Sequence, residues 1–330
     1  MKKTVLETIK KYNMIENKDK IVLGVSGGPD SISMLDILNK IRKDTSINLD
    51  FEIVVAHINH MIREEAKDDE LYVKEFCQKN NIEFFSKSID VVKLANTNKI
   101  GTEEAGRKVR YEFFDEIMKK TSANKIAIAH NKNDNAETII MNLIRGTGIS
   151  GLKGIEAKRD RYIRPLIECE RMDIEKYCED NKLNPRIDKT NYENEYTRNK
   201  IRNIVIPYIK NEFNPNIVNT LNRLSNIVKD EEEYIEGQVA LIYKEILIEE
   251  NNKEITLDLK KFNIQEKVIK SRILIYTITK LNRTSNGIEK IHIEDIIKLC
   301  NNNIGNKYLK PNKRIKILVK NHKIYFIKEI

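Results

Sequence analysis

Ser26-Gly27-Gly28-Pro29-Asp30-Ser31 stands between a short apolar run, Ile21 to Val25, and a segment with helical spacing, Ser31 to about Lys43. Two adjacent glycines let the main chain approach an anion without a Cβ clash. The N–H groups of the turn and of the following helix then face that anion. Asp30 is a candidate to hold a magnesium ion bridging phosphate oxygens. A lone Ser-Gly-Gly would read as a plain turn that caps a helix. The six residues together, in a strand–turn–helix setting, favour a phosphate loop. No Gly-Lys-Ser/Thr follows, so this is not a Walker A loop, and the spacing is not that of a dinucleotide GxGxxG.

The same alternation continues downstream. Ile53 to His57 is followed by a charged helical segment from about Glu64 to Asn80. Ile82 to Ile89 precedes a helix from about Thr102 to Lys120, and Ile126 to His130 precedes one from about Asn133 to Arg145. Repeated strand–helix units predict an α/β fold, a Rossmann-like parallel sheet flanked by helices. Such sheets bind ligands beyond the carboxyl ends of their strands. A glycine-spaced link (Gly146, Gly148, Gly151, Gly154) and Arg164-Pro165-Leu166 come next, then a helix from Arg171 to Asn181. Past Pro207 the pattern is mostly helical, from about Pro215 to Glu250, with short alternating strands from about Gly305. A single core stops growing at roughly 250–300 residues, so the 330 residues divide into two domains. We expect 1–212 to carry the phosphate loop and its site and 213–330 to be a mostly helical second domain with short C-terminal strands.

The net charge of +9 favours a polyanionic partner, although a lysine-rich composition gives the same balance. The four cysteines form no CxxC pair, which disfavours a zinc ribbon or a disulfide framework and fits a reducing compartment. Met1 to Tyr12 lacks the apolar core of a signal peptide, and no run of roughly 18 apolar residues suggests a membrane span.

Several further stretches, taken with the loop, carry a resemblance. They are Ala56-His57-Ile58-Asn59-His60-Met61-Ile62-Arg63, Glu104-Ala105-Gly106-Arg107-Lys108-Val109-Arg110-Tyr111 and His130-Asn131-Lys132-Asn133-Asp134-Asn135-Ala136-Glu137-Thr138. Arg145-Gly146-Thr147-Gly148, Arg164-Pro165-Leu166, Asp188, Asn191 and Tyr196-Thr197-Arg198-Asn199-Lys200-Ile201-Arg202 follow in order. Over roughly residues 20–210 the set resembles the PP-loop ATP pyrophosphatases, and within them the tRNA(Ile)-lysidine synthases. Asn131 and Asn133 stand where that pattern has His and Asp, and Gly106 where it has Ala. The missing carboxylate at Asn133 puts a second metal contact in doubt. We expect the additional C-terminal region of longer members to be absent.

The resemblance implies a ligase reaction. ATP binds at Ser26, Gly27, Gly28, Pro29, Asp30 and Ser31, with magnesium on Asp30 and with His57 and His60 in contact. The carbon-2 carbonyl oxygen of the wobble cytidine attacks the α phosphorus, and lysine then displaces AMP from that carbon. Asp30, Arg110, Asp134 and Glu137 are the candidate catalytic residues, Asp134 and Glu137 also the lysine receptor. Arg107, Arg198 and Arg202 are candidates for phosphates of ATP or tRNA. Each has a bland alternative: Asp134 and Glu137 as an acidic helix start, the arginines as surface charge, and His57 and His60 as structural hydrogen-bonding groups rather than zinc ligands. The expected partners are tRNA(Ile) with a CAU anticodon and free L-lysine, with a homodimer as a possible assembly, no membrane, and a cytoplasmic setting. A tRNA thiolase of the same class and a non-enzymatic RNA-binding protein are the alternatives.

Overall fold

The computed structural model describes the chain apart from residues 62–65, 187–195, 285, 303–306 and 330. It divides into two compact units, Met1–Asn226 and Ile227–Ile330.

The first unit is built on a six-stranded sheet of order β3-β2-β1-β4-β6-β5. Its strands are β1 (Asp19–Gly24), β2 (Phe51–Asn59), β3 (Glu83–Ser88), β4 (Lys125–Ala127), β5 (Lys158–Arg159) and β6 (Tyr162–Ile163). All neighbours run parallel except β5, which pairs antiparallel with β6. The predicted strand runs therefore form, and the short hairpin β5–β6 extends the sheet without having been anticipated. Helices α1 (Lys2–Lys11), α2 (Pro29–Lys43), α3 (Ala66–Lys79), α4 (Val91–Asn98), α5 (Thr102–Thr121), α6 (Lys132–Ile144) and α7 (Arg171–Asp180) accompany it.

Alternation along β1 decides what each face buries. Ile21, Leu23 and Val25 join Ile32, Leu35 and Leu38 of α2 in one core cluster. Val22 instead joins Val54, Ala56 and the α5 residues Phe113, Phe114 and Ile117 in another. A sheet buried on both faces reads as continuous apolar runs rather than as alternation, and Ile21 to Val25 does. The strand order reverses at β1, with β2 on one side and β4 on the other. The crevice beyond their carboxyl ends is the switch point of the sheet.

Gly24, the last residue of β1, has no room for a side chain. A Cβ there would run into the ring of Phe114, which is itself buried. We therefore expect Gly24→Ala to destabilise the first unit by about 1–3 kcal/mol, the usual cost of overpacking. Thermal unfolding that coincides with wild type would contradict this packing.

After α7 come α8 (Thr197–Lys200), a π-helical turn (Ile201–Val205) and α9 (Ile206–Glu212). Helix α10 (Ile217–Ile246) follows, and the boundary between the units falls inside it. The sequence reading divides the chain near residue 212. The residues just beyond belong with the first unit because Val218 and Leu221 pack with Ile140 and Ile201. Asn222 also receives a hydrogen bond from Asn135 at 2.8 Å.

The second unit holds a five-stranded antiparallel sheet of order β7-β8-β11-β10-β9. Its strands are β7 (Leu247–Glu250), β8 (Glu254–Asp258), β9 (Lys307–Asn312), β10 (Ile315–Lys320) and β11 (Lys323–Lys328). Helices α11 (Leu259–Asn263), α12 (Lys267–Asn282) and α13 (Lys290–Asn302) complete it. The C-terminal strands are as expected, but they are joined by β7, where the sequence reading has helix, and by β8, to which it assigns no element. Ile315, Ile317, Val319, Ile324 and Phe326 face the core with Ile273, Leu274 and Ile296. Among the described residues no helix is long and apolar enough to cross a membrane.

Candidate active site

The loop after β1 is held by its own serine. Oγ of Ser31 accepts from the Ser26 amide at 3.1 Å and donates to the Gly28 carbonyl at 3.0 Å. Gly27 sits at φ +95°, the region that glycine reaches at no steric cost. Gly28 is the N-cap of α2, Pro29 its first residue, and Asp30 lies in its first turn. The loop therefore opens onto a helix N-terminus, where backbone amides and the helix dipole favour an anion.

Across the switch point, β4 ends and His130 leads into α6. Asn131 is the N-cap of α6: its side-chain oxygen accepts from the Asp134 amide at 2.9 Å, while Asp134 Oδ2 accepts from the Asn131 amide at 3.0 Å. This reciprocal pair is a capping box. The amide nitrogen of Asn131 reaches the other way and donates to Oδ1 of Asp30 at 2.8 Å. One buried side chain thus joins the phosphate loop to the start of α6. The sequence reading treats Asn131 as a departure from the family pattern; in the structure it is a bridge. Asn133, the other departure, accepts from the Arg171 amide at the head of α7.

Asp134 and Glu137 share one face of α6, as i, i+3 spacing requires, and both are buried. Three arginines surround them. Arg198 lies 3.3 Å from Asp134 and 2.9 Å from Glu137, and Arg202 lies 3.0 and 2.6 Å from the same pair. Arg171 stands farther out, at 3.8 and 3.7 Å. Arg202 falls in the π-helical turn, a distortion that recurs at functional sites. Arg198 and Arg202 are therefore bound to the acidic pair here. Arg171 belongs to no motif; only the fold brings it to α6.

Burial alone would raise the Asp134 carboxyl, but the Arg198 charge, the Asn131 amide and the Arg202 charge hold it below its ordinary value. Asp30 goes the other way, raised to about 6 by burial and by the Asp134 charge. Its contribution to the ligand-free fold is full below the unfolded value of 3.8 and is lost as pH rises through about 6. Asp30→Asn cannot ionise. At pH 8 it should unfold a few degrees above wild type, on the order of 1 kcal/mol, with the gap closing near pH 4. Equal melting temperatures at pH 8 would contradict the raised carboxyl.

His57 and His60 are both disfavoured as cations. Burial lowers His57, and burial followed by the Arg110 charge lowers His60 to about 4. Nδ1 of His57 donates to the Val25 carbonyl at 2.9 Å, which leaves a lone pair on Nε2. That Nε2 is buried with no hydrogen-bond partner among the described residues, as is Nδ1 of His60. Arg110 lines the same cavity, whereas Arg107 stacks over the Tyr111 ring at 5.1 Å. Arg63, Asp188 and Asn191 lie outside the described residues.

A cavity of about 1210 Å³ reaches from Ser26, Gly28 and Asp30 past His57, His60 and Arg110 to His130, Arg171 and Arg202; Asp134, Glu137 and Arg198 are not among its lining residues. Among the described residues no group of three or more His, Cys, Asp or Glu side chains is placed to hold a metal ion. Magnesium does not require one. It is commonly held by one or two carboxylates together with substrate phosphates and water. Asp30, one carboxylate beside a phosphate loop, fits that donor set.

Comparison with known proteins agrees with this geometry. The PP-loop domain family matches residues 1–209. The tRNA(Ile)-lysidine synthase of Clostridioides difficile (strain 630) is 45% identical over 327 residues, covering 98% of this chain and 70% of that protein. The synthase of Clostridium acetobutylicum is 48% identical over 310 residues, 93% of this chain and 66% of its own length. The synthase of Petrotoga mobilis is 37% identical over 297 residues and is covered to 90%, as is this chain. Among solved structures, the U34-tRNA thiolase NcsA from Methanococcus maripaludis, with its 4Fe-4S cluster, superposes at a TM-score of 0.56 with 20% identity. That alignment covers 69% of this chain and 78% of that one, a likeness of fold.

Proposed function

The chain belongs to the tRNA(Ile)-lysidine synthase family of PP-loop proteins, and we propose that it carries out the ligation that name describes. Free lysine is joined through its ε-amine to carbon 2 of the wobble cytidine in the CAU anticodon of tRNA(Ile). ATP is consumed to AMP and pyrophosphate, and the product base pairs with A instead of G. One observation carries the reading: Asn131 ties the phosphate loop, through Asp30, to the start of α6, whose buried Asp134 and Glu137 are paired with arginines of which Arg171 and Arg202 line the same cavity as the loop.

The reaction needs three substrates aligned. The C2 carbonyl oxygen of the cytidine attacks the α phosphorus of ATP, and pyrophosphate leaves. The lysine amine, after losing a proton, attacks C2 and expels AMP. The amides of the loop and the head of α2 receive the phosphates, where fixed dipoles stabilise the transferring charge. Asp30 would hold magnesium, which supplies Lewis-acid neutralisation of the phosphate oxygens. Arg110 faces the developing negative charge from α5.

Free lysine carries two ammonium groups and one carboxylate. Asp134 and Glu137 offer carboxylates to the first, and Arg171, Arg198 and Arg202 offer guanidinium groups to the second. The acids are paired with those arginines at 2.6–3.8 Å, so an arriving ammonium replaces part of an existing ion pair. Arg171, the most distant, is the first to yield.

The second unit, on this reading, holds tRNA and does no chemistry. Along β10, Ile315, Ile317 and Val319 are buried while Lys316 and Lys320 point outward. Lys307 is exposed on β9, and Lys316 lies over the Tyr308 ring at 4.4 Å. Lysines also protect sheet edges from aggregation, but phosphate neutralisation needs several together. Removing the last thirty residues would take away core strands. Substitution on the outer face is the cleaner probe. Lys316 and Lys320 changed together to alanine should weaken tRNA binding and reduce the slope of log affinity against log salt by about two. An unchanged slope would place recognition elsewhere.

The activity is tested by pyrophosphate release. It should require magnesium and a tRNA(Ile) transcript with a CAU anticodon. ATP cleavage indifferent to tRNA would overturn the tRNA-ligase reading, and no cleavage would leave only a binding protein.

A further inference from the structure

Arg164 is a buried arginine with no contact to Asp134 or Glu137 among the interactions described above. It follows β6, is 5% exposed, and donates from Nη1 to the Glu156 carbonyl at 2.6 Å. Its Nε lies 3.1 Å from Nδ1 of His130. A guanidinium has five N–H donors, no acceptor, and does not lose its proton in proteins. The hydrogen bond therefore runs in one direction, from Arg164 to a bare lone pair on Nδ1. A neutral imidazole carries one ring proton, so the proton of His130 is on Nε2.

We propose that Arg164 is a positioning residue that fixes His130 as a neutral, Nε2-protonated hydrogen-bond donor to a phosphate oxygen of the bound nucleotide. The identity of that acceptor rests on the ATP reading of the cavity; the tautomer does not. His130 lies at the carboxyl end of β4, beside β1 at the switch point, where Leu23 pairs with Ala127. It lines the cavity with Ser26, Gly28 and Asp30. The next residue, Asn131, is already bonded to Asp30, so His130 stands across from the phosphate loop.

Neutrality has a purpose at this point. An imidazolium would pair with Asp134, one turn along α6, and compete with a lysine ammonium for it. A neutral donor serves an oxygen and leaves the acidic pair to the amine. The charged groups facing His130 are Asp134 from α6, Arg164 from beyond β6, Arg198 from α8 and Arg110 from α5. Burial first, then the three arginines against the opposing pull of Asp134, lowers His130 to about 4. Without Arg164, Nδ1 is free to take a proton, and the ring moves back toward the ordinary histidine range. More of it is then cationic at pH 6 than at pH 8.

The test uses the full chain labelled with nitrogen-15 at its five histidines. His130 is assigned by the loss of its signals in His130→Gln. In wild type at pH 6 and pH 8, His130 should show protonated Nε2 and bare Nδ1. His57, which donates from Nδ1 to Val25, should show the opposite pattern and serves as the internal reference. In Arg164→Met, His130 should carry more Nδ1 protonation at pH 6 than wild type does, and more at pH 6 than at pH 8. Pyrophosphate release at pH 6 relative to pH 8 should then fall several-fold further than in wild type, with Arg164→Lys restoring part of it. A wild-type His130 protonated at Nδ1 would overturn the proposal. So would an Arg164→Met variant with wild-type tautomer and pH profile. Should that variant fail to fold, the wild-type spectrum decides alone. A wild type that releases no pyrophosphate yet shows the expected tautomer would refute the ATP reading and leave the Arg164–His130 lock standing.

Discussion

Asp30→Ala should lower tRNA-dependent pyrophosphate release by at least about a hundredfold, the scale on which loss of one preorganised charge contact is felt in a transition state. Asp30 is the one acidic residue in the first turn of α2, and it is held toward the loop by Asn131 at 2.8 Å. Its loss removes the carboxylate offered to magnesium and leaves the Asn131 amide nitrogen without that acceptor. The fold should survive, because burial and Asp134 already disfavour the ionised Asp30 in the ligand-free protein. A folded Asp30→Ala enzyme with near-wild-type turnover in magnesium would refute the metal role.

Glu137→Ala should act on a different substrate. Glu137 is 1% exposed and accepts from Arg198 and Arg202. Truncating one partner of a buried, hydrogen-bonded charge pair costs about 2–5 kcal/mol. Applied to lysine binding, that is roughly a 30- to several-thousand-fold rise in the lysine concentration needed. The KM for ATP should change little, because the acidic pair is on α6 and the phosphate loop is on α2. The same substitution also leaves two arginines short of a counter-charge, which itself destabilises. Glu137→Gln is therefore run beside it, since glutamine keeps the acceptor oxygen and the shape. Equal rises in the ATP and lysine requirements in a folded Glu137→Gln protein would point to a metal role for this carboxylate or to collapse of the site.

The first unit was readable because its signals are local. Ile21 to Val25 is apolar on both faces, and the glycine turn follows at once, so strand, loop and helix declare one another. The capping box at Asn131 and Asp134 is local as well, an Asn with an acid three residues on, and could have been read as a helix start. The contact from Asn131 to Asp30 could not. It spans 101 positions and exists only because β1 and β4 are neighbours in the sheet. Arg171, at the head of α7, is likewise brought to α6 by packing alone. In the second unit, the sequence reading runs a helix from Pro215 to Glu250, through the exposed Glu249 and Glu250 of β7, and assigns β8 no element. Ile255 and Leu257 are nevertheless core residues paired to β11, and that pairing is a tertiary fact.

The product decides most directly whether this chain is a lysine ligase. The full chain is incubated with magnesium, ATP, lysine and a tRNA(Ile) transcript bearing CAU, and the tRNA is digested to nucleosides for mass spectrometry. The account predicts a cytidine heavier by one lysine less one water, formed only when ATP and lysine are both present and lost in a transcript whose wobble cytidine is replaced by uridine. Unmodified cytidine from an enzyme that still cleaves ATP, or a product that carries sulfur in place of lysine, would contradict it.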